Sequence, residues 1–88
     1  MTLGDLYKEY YFIELYQTKQ RLTTFYYSNS GLECKTDKHY EAKLFNSLLE
    51  ARPVAKRVKK EWGCFAAYIK VFYILNSVHR QTVEKVRD

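Results

Sequence analysis

The sequence contains few of the residues that break or staple small folds. Its 88 residues include only three glycines, one proline and two cysteines. This scarcity, together with 47% hydrophobic residues, excludes collagen-like, low-complexity and intrinsically disordered classes. A disulfide scaffold of this length would usually carry four or more cysteines, so Cys34 and Cys64 are predicted to be reduced thiols. The length predicts one domain, residues 1–88, with a single small core.

Long apolar runs and export signals are also missing from the sequence. The longest apolar stretch, residues 64–75, is 12 residues long and is interrupted by Lys70. A transmembrane helix needs about 20 such residues. The first six residues lack a cationic region followed by an apolar run, so we expect no signal peptide there. We therefore expect a cytoplasmic protein with no membrane partner.

No group of residues has the spacing of a catalytic or metal-binding site. Asp37 and His39 follow Cys34 closely, but they lie beside a predicted turn, and a catalytic triad is defined by geometry rather than by nearness in sequence. Three isolated glycines cannot form a phosphate-binding loop. We therefore expect no enzymatic activity, no catalytic residue, no metal and no cofactor.

Residue types and alternation predict a β-sheet. Residues 9–17 and 21–28 are rich in aromatic and β-branched side chains and are separated by a short polar loop, which predicts a hairpin. Residues 28–31 form the strongest turn signal, and residues 32–36 are predicted to be a short third strand. Residues 64–75 are apolar on both faces, which favours a buried strand over a helix. Valines in residues 76–88 are spaced for a short closing helix, and residues 2–8 are predicted to form a helical lead-in.

A single helix is predicted from Ser47 to Trp62. Ser47 and Glu50 have the spacing of a capping box, and Gly63 follows as the stop. At about 100° per residue, six apolar side chains fall within an arc of about 120°. These side chains are Leu48, Ala51, Val54, Ala55, Val58 and Trp62.

Pro53 is the difficulty for this helix, because its ring removes one backbone hydrogen bond and favours a kink or a widened turn. Two alternatives are a helix that begins near Tyr40 and a helix that breaks in two at Arg52. With one helix, the predicted order is β-β-β-α-β. This order predicts a two-layer α+β domain, with an antiparallel sheet of three to four strands, one packed helix, and room for a short C-terminal helix.

The charge distribution indicates a candidate binding surface. Fifteen Lys and Arg residues against ten Asp and Glu residues give a net charge of +5. Four cations lie opposite the apolar side of the predicted helix and are called here the basic stripe: Arg52, Lys56, Lys59 and Lys60. Such a stripe is either a solvated face that maintains solubility or a partner-binding site for phosphates or carboxylates. Arg57 lies outside it, with Glu61 one turn later as an ion-pair partner.

Tyrosine is the other unusual feature, with nine in the chain. Tyr10, Tyr16, Tyr26 and Tyr27 fall in the predicted hairpin and form a candidate secondary aromatic surface. Tyrosine rings on an open sheet face can stack on nucleic-acid bases. The alternative is that the rings complete the edge of the core and leave their hydroxyls in water.

Residues 42–55, with the sequence AKLFNSLLEARPVA, resemble a pattern found in small phage and prophage accessory proteins. In those proteins an A-x-x-F segment leads into an S-x-x-E-A helix, with a β-hairpin before it and a strand after it. Some of them inhibit host defences, and anti-CRISPR proteins are among these. The resemblance implies the same fold between about residues 10 and 75, and it implies no catalytic residue.

The resemblance and the charge together predict a non-enzymatic phage or mobile-element protein. It would inhibit a host defence complex by covering a surface of that protein or ribonucleoprotein assembly, in the cytoplasm of an infected or lysogenic cell. Inhibitors that mimic DNA should be acidic, so the basic charge argues against mimicry. The alternative is a small basic nucleic-acid-binding module or regulator. A homo-oligomer is a further alternative, because strand edges can pair.

Overall fold

The described residues form one antiparallel sheet and one main helix. The computed structural model describes residues 8–20, 24–28, 34–73 and 82–87. The strands are β1 (Glu9–Tyr16), β2 (Thr24–Tyr27), β3 (Lys35–Thr36), β4 (Ala66–Tyr73) and β5 (Thr82–Lys85), and helix α1 (Leu48–Glu61) lies between β3 and β4. A short 3-10 turn, His39–Glu41, precedes the helix. The spatial order β3-β2-β1-β4-β5 confirms the predicted α+β class.

Strands β1 and β4 form the centre of the sheet. They pair along eight residues each, from Glu9 opposite Tyr73 to Tyr16 opposite Ala66. Alternate residues of a strand point to opposite faces. Ile13 and Ile69 are therefore neighbours on the face that packs against α1, and neither has any exposed surface. The predicted strand in residues 64–75 is thus confirmed over the range of β4.

The helix begins as the capping pattern predicts, with one difference. The Ser47 hydroxyl accepts a hydrogen bond from the Glu50 amide at 3.3 Å. The Glu50 carboxylate accepts from the Asn46 amide, also at 3.3 Å, rather than from the amide of Ser47. The first turn therefore satisfies a backbone donor one residue earlier than a standard capping box does.

The helix runs without a break through Pro53, so both alternatives, a start near Tyr40 and a break at Arg52, are wrong. Tyr40 lies in the 3-10 turn. The predicted apolar side of the helix is confirmed, because all of its members join one core. Ala51, Ala55 and Val58 are buried, and Leu48, Val54 and Trp62 pack partly buried against them.

Gly63 ends the helix in the left-handed backbone region, with φ of 61°. Its amide donates to the Lys60 carbonyl at 3.2 Å, and the Cys64 amide donates to the Lys59 carbonyl at 3.0 Å. This pair of hydrogen bonds is the Schellman arrangement, which requires a left-handed residue at this position.

Gly63→Ala should lower the free energy of unfolding by about 1 to 2 kcal/mol, because an L-residue is strained in the left-handed region. Nothing lies within 4 Å of an added Cβ, so backbone strain alone causes the loss. Urea denaturation measures it. Gly63→Asn is the matched variant and should cost less, because asparagine tolerates this conformation better. Equal losses for both variants would contradict the explanation.

The C-terminal segment differs from the prediction. Thr82–Lys85 is a strand rather than part of a closing helix, so that prediction is wrong for the described residues of this segment. Tyr68 pairs with Lys85 and Ile69 with Glu84, followed by a register shift between Ile69 and Lys70. Pairing with the open edge of β4 gives this segment backbone hydrogen bonds to a buried strand, which outweighs its weak helical spacing.

Three other expectations involve residues outside the described ranges. They are the helical lead-in, except for Lys8, the turn after Ser28, and residues 76–81 of the closing segment. Both edge strands are short: β3 has two residues and β5 has four. Short edges that carry charged side chains disfavour pairing between copies.

Candidate basic interface

The structure places the whole basic stripe on α1, but its members differ in their surroundings. Lys56 and Lys60 are exposed and Lys59 is half-buried. Arg52 is also exposed, yet its Nε donates to both carboxylate oxygens of Glu84 on β5, at 2.9 and 3.1 Å. This hydrogen bond, and then the charge of Glu84, raise the pKa of Arg52 above its ordinary value. Arg52 is therefore already engaged by an internal carboxylate.

Two further cations join the stripe, and sequence reasoning missed both. Lys85 and Arg87 lie at the end of the chain that was predicted to be helical, and β5 brings them beside α1. A charged, apolar, charged order from Lys85 to Arg87 is the one sequence signal for a strand here. It matches the structure, in which Val86 is buried and its two neighbours are exposed. Three residues are too few to distinguish a strand from a helix.

A depression of about 790 Å³ separates α1 from β5. Its lining includes Arg52, Lys56, Lys85 and Arg87, with Glu84 among them. A second depression of about 560 Å³ adjoins the last turns of α1 and is lined by Lys56, Lys59, Lys60, Gly63 and Cys64. Lys56 lines both depressions, so the two depressions adjoin along α1.

Four of these cations lack a carboxylate of their own. Within the described ranges, Lys56, Lys60, Lys85 and Arg87 form no ion pair, and they are called here the basic surface. Arg57, outside this group, pairs with Glu61 at 4.0 Å, as predicted. The basic surface is thus the part of the described chain where positive charge is concentrated without internal compensation.

Cys64 lies beneath this surface but has the properties of a core residue. It is 9% exposed. Burial raises the pKa of the Cys64 thiol, and the nearby charges of Lys35 and Lys59 only partly oppose that effect. A raised pKa lowers the fraction of reactive thiolate at neutral pH. Cys64 therefore contributes packing, and both cysteines are free thiols as predicted.

The four tyrosines of the candidate aromatic surface do not share one face. Tyr27 stacks on Phe45 at a centroid distance of 6.0 Å and packs against the core on the helix side. Tyr26 lies opposite Glu14 in the register and therefore points to the other face. Tyr10 and Tyr16 also lie on that outer face, and all four rings are half-buried. Tyr16 packs edge-on against Tyr68 at 5.7 Å.

An ion pair lies at the centre of this outer sheet face. Lys70 Nζ is 3.0 Å from Glu14 Oε1, and the Glu14 residue is only 5% exposed. The Tyr16 hydroxyl donates a hydrogen bond to the same carboxylate. The sequence showed Lys70 only as an interruption of an apolar run, because its partner lies on another strand. The ion pair and the hydrogen bond together compensate the buried charge of Glu14, which lies among aromatic side chains.

Comparisons with protein-family models, curated proteins and solved structures find no match to this chain. No helix in the described ranges has the length and apolarity required to cross a membrane. Within the same ranges, no three His, Cys, Asp or Glu side chains gather as a metal site would require. The basic surface, with its cations around the two depressions, is the candidate site that the geometry supports best.

Proposed function

We propose that this chain is a non-enzymatic binding protein that places its basic surface against an acidic surface of a larger assembly. The observation that carries the proposal is the group of four cations without internal carboxylates at the junction of α1 and β5. Such a group attracts an oppositely charged partner and orients it during the encounter. The firm capping and core packing of α1 give the cations of the helix a rigid support.

The likeness of residues 42–55 to phage and prophage accessory proteins supports a finer proposal. The partner would be a host defence complex, such as a CRISPR effector, and the chain would inhibit it by covering a functional surface. The net charge of +5 supports an acidic protein surface or bound nucleic acid as the contact, not mimicry of DNA. The second candidate is direct nucleic-acid binding, which the same cations favour.

Reversing the charge of three cations of the basic surface should weaken partner binding strongly. The test variant carries Lys56→Glu, Lys60→Glu and Arg87→Glu, which changes the net charge from +5 to −1, two charges for each substitution. Arg52 is left intact because it pairs with Glu84. Like charges facing a partner cost several kcal/mol, so affinity should fall at least about tenfold. Affinity capture from the source host, followed by titration of the captured partner, measures the loss.

The matched control carries the same charge change at three exposed lysines elsewhere: Lys8→Glu, Lys19→Glu and Lys38→Glu. Circular dichroism checks that both variants are folded. If the control loses the partner as completely as the test variant, net charge and not this surface is responsible, and the proposal fails. If nuclease treatment prevents the capture, and the logarithm of the affinity falls with the logarithm of the salt concentration at a slope of about −3.6, the result would instead support four phosphate contacts.

A further inference from the structure

The depression between α1 and β5 has the chemistry of a peptide-binding groove, and we infer that it accepts an acidic peptide segment of a protein partner. This inference rests on the proposed function and adds the chemical class of the partner. It further assigns Glu84 as an internal competitor that occupies one cationic position in the free protein. Three observations support it: the accessible apolar residues of the depression, the Arg52–Glu84 pair, and the lack of aromatic side chains among the described lining residues.

Apolar and charged residues together line the depression. Pro53, Ile69, Val83 and Val86 are its apolar lining residues, and the accessible ones are Pro53 and Val83, of which Val83 is 44% exposed. The volume of about 790 Å³ lies within the range of sites that bind small ligands and side chains. An extended segment with alternating acidic and aliphatic residues fits this arrangement, because its apolar side chains would cover Pro53 and Val83 while its carboxylates meet Lys56 and Arg87.

Glu84 marks a position that binds a carboxylate. Both of its oxygens lie within 3.1 Å of Arg52 Nε, and the pair is accessible, with side-chain exposures of 46% for Arg52 and 35% for Glu84. An exposed ion pair is worth little, so a carboxylate from a partner can replace Glu84 at small cost. In the described part of the chain the four other N–H donors of Arg52 form no hydrogen bond, which leaves them available to a second oxygen.

The same depression is poorly suited to nucleic acid. Among the described residues that line it, none is aromatic, so it offers no ring on which a base can stack. The observations therefore favour a polypeptide over a polynucleotide as the occupant.

The test uses two synthetic peptides of equal length and equal negative charge, one with leucines between its glutamates and one with serines. The wild-type protein should bind the leucine peptide about fivefold or more tightly, as expected for covering a small apolar area. Val83→Gln should remove that preference without changing the charge. Leu49→Gln, at a position 77% exposed and outside the depression, is the matched control and should keep it. Fluorescence anisotropy measures the affinity of each of the three proteins for both peptides.

Equal binding of both peptides by the wild type, or tighter binding of an oligothymidylate of equal charge, would overturn the inference. Neither result would affect the proposed function, which depends on the charge-reversal variant and the captured partner. Glu84→Gln provides a second measurement: removing the competitor should strengthen binding of both peptides about two- to fivefold. Weaker binding by this variant would show that Glu84 does not compete, and would overturn that part of the inference.

Discussion

Ile13→Ala should lower the free energy of unfolding by about 3 to 4 kcal/mol, because it leaves a cavity at the centre of the core. Ile13 has no exposed surface and lies on β1, opposite Ile69 of β4. The buried helix side chains of its cluster include Ala51 and Ala55, which are too short to fill the space. Neighbouring strands hold the backbone in register, so the site collapses poorly.

Urea denaturation followed by circular dichroism measures this loss, and thermal melting should show a fall of more than about 12 °C for a domain of this size. Leu49→Ala is the control, since Leu49 is 77% exposed on the same domain. A surface substitution of this kind changes stability by about 0.5 kcal/mol or less. If the two variants were equally stable, the core would not lie where β1, β4 and α1 meet.

Lys70→Met should cost about 2 to 3 kcal/mol, because it leaves the buried carboxylate of Glu14 without its cation. Removing one partner of a fully buried pair costs about 3 to 5 kcal/mol. The smaller value applies here because the Lys70 side chain remains 18% exposed. The Tyr16 hydroxyl still donates to the carboxylate in this variant and limits the loss further.

Combining Lys70→Met with Glu14→Gln should restore most of that stability, because a neutral amide oxygen can still accept from the Tyr16 hydroxyl. A double-mutant cycle from urea denaturation measures the coupling between the two positions, which should exceed about 1.5 kcal/mol. Additive effects of the two substitutions would mean that the ion pair contributes nothing, and that the outer sheet face is stabilised by its aromatic side chains alone.

The predicted binding residues illustrate how far local patterns reach. The basic stripe could be predicted because its four cations belong to one helix, whose period fixes which side chains share a face. The pairing of Arg52 with Glu84 could not, because the two residues are 32 positions apart and the sequence assigned Glu84 to the wrong element. For the same reason Lys85 and Arg87 were missed.

The tyrosines show a different limit. Strand alternation alone requires Tyr26 and Tyr27 to point to opposite faces, so the sequence already excluded one shared surface for both. That pattern did not indicate which of the two tyrosines points toward the core. The register of β2 on β1 decides it, because Tyr26 lies opposite Glu14 and Tyr27 therefore falls on the side of Phe45 and the helix.

The sequence by itself determined the hairpin, the capped helix with its apolar side, and the central strand after Gly63, because each depends on residues within one or two turns or a few alternating positions. The tertiary structure decided the strand at Thr82–Lys85, the buried pair of Glu14 and Lys70, and the depression beside α1. These features depend on which strand lies next to which. An open sheet edge or a buried charge acts through partners that are distant in sequence, and no local pattern contains them.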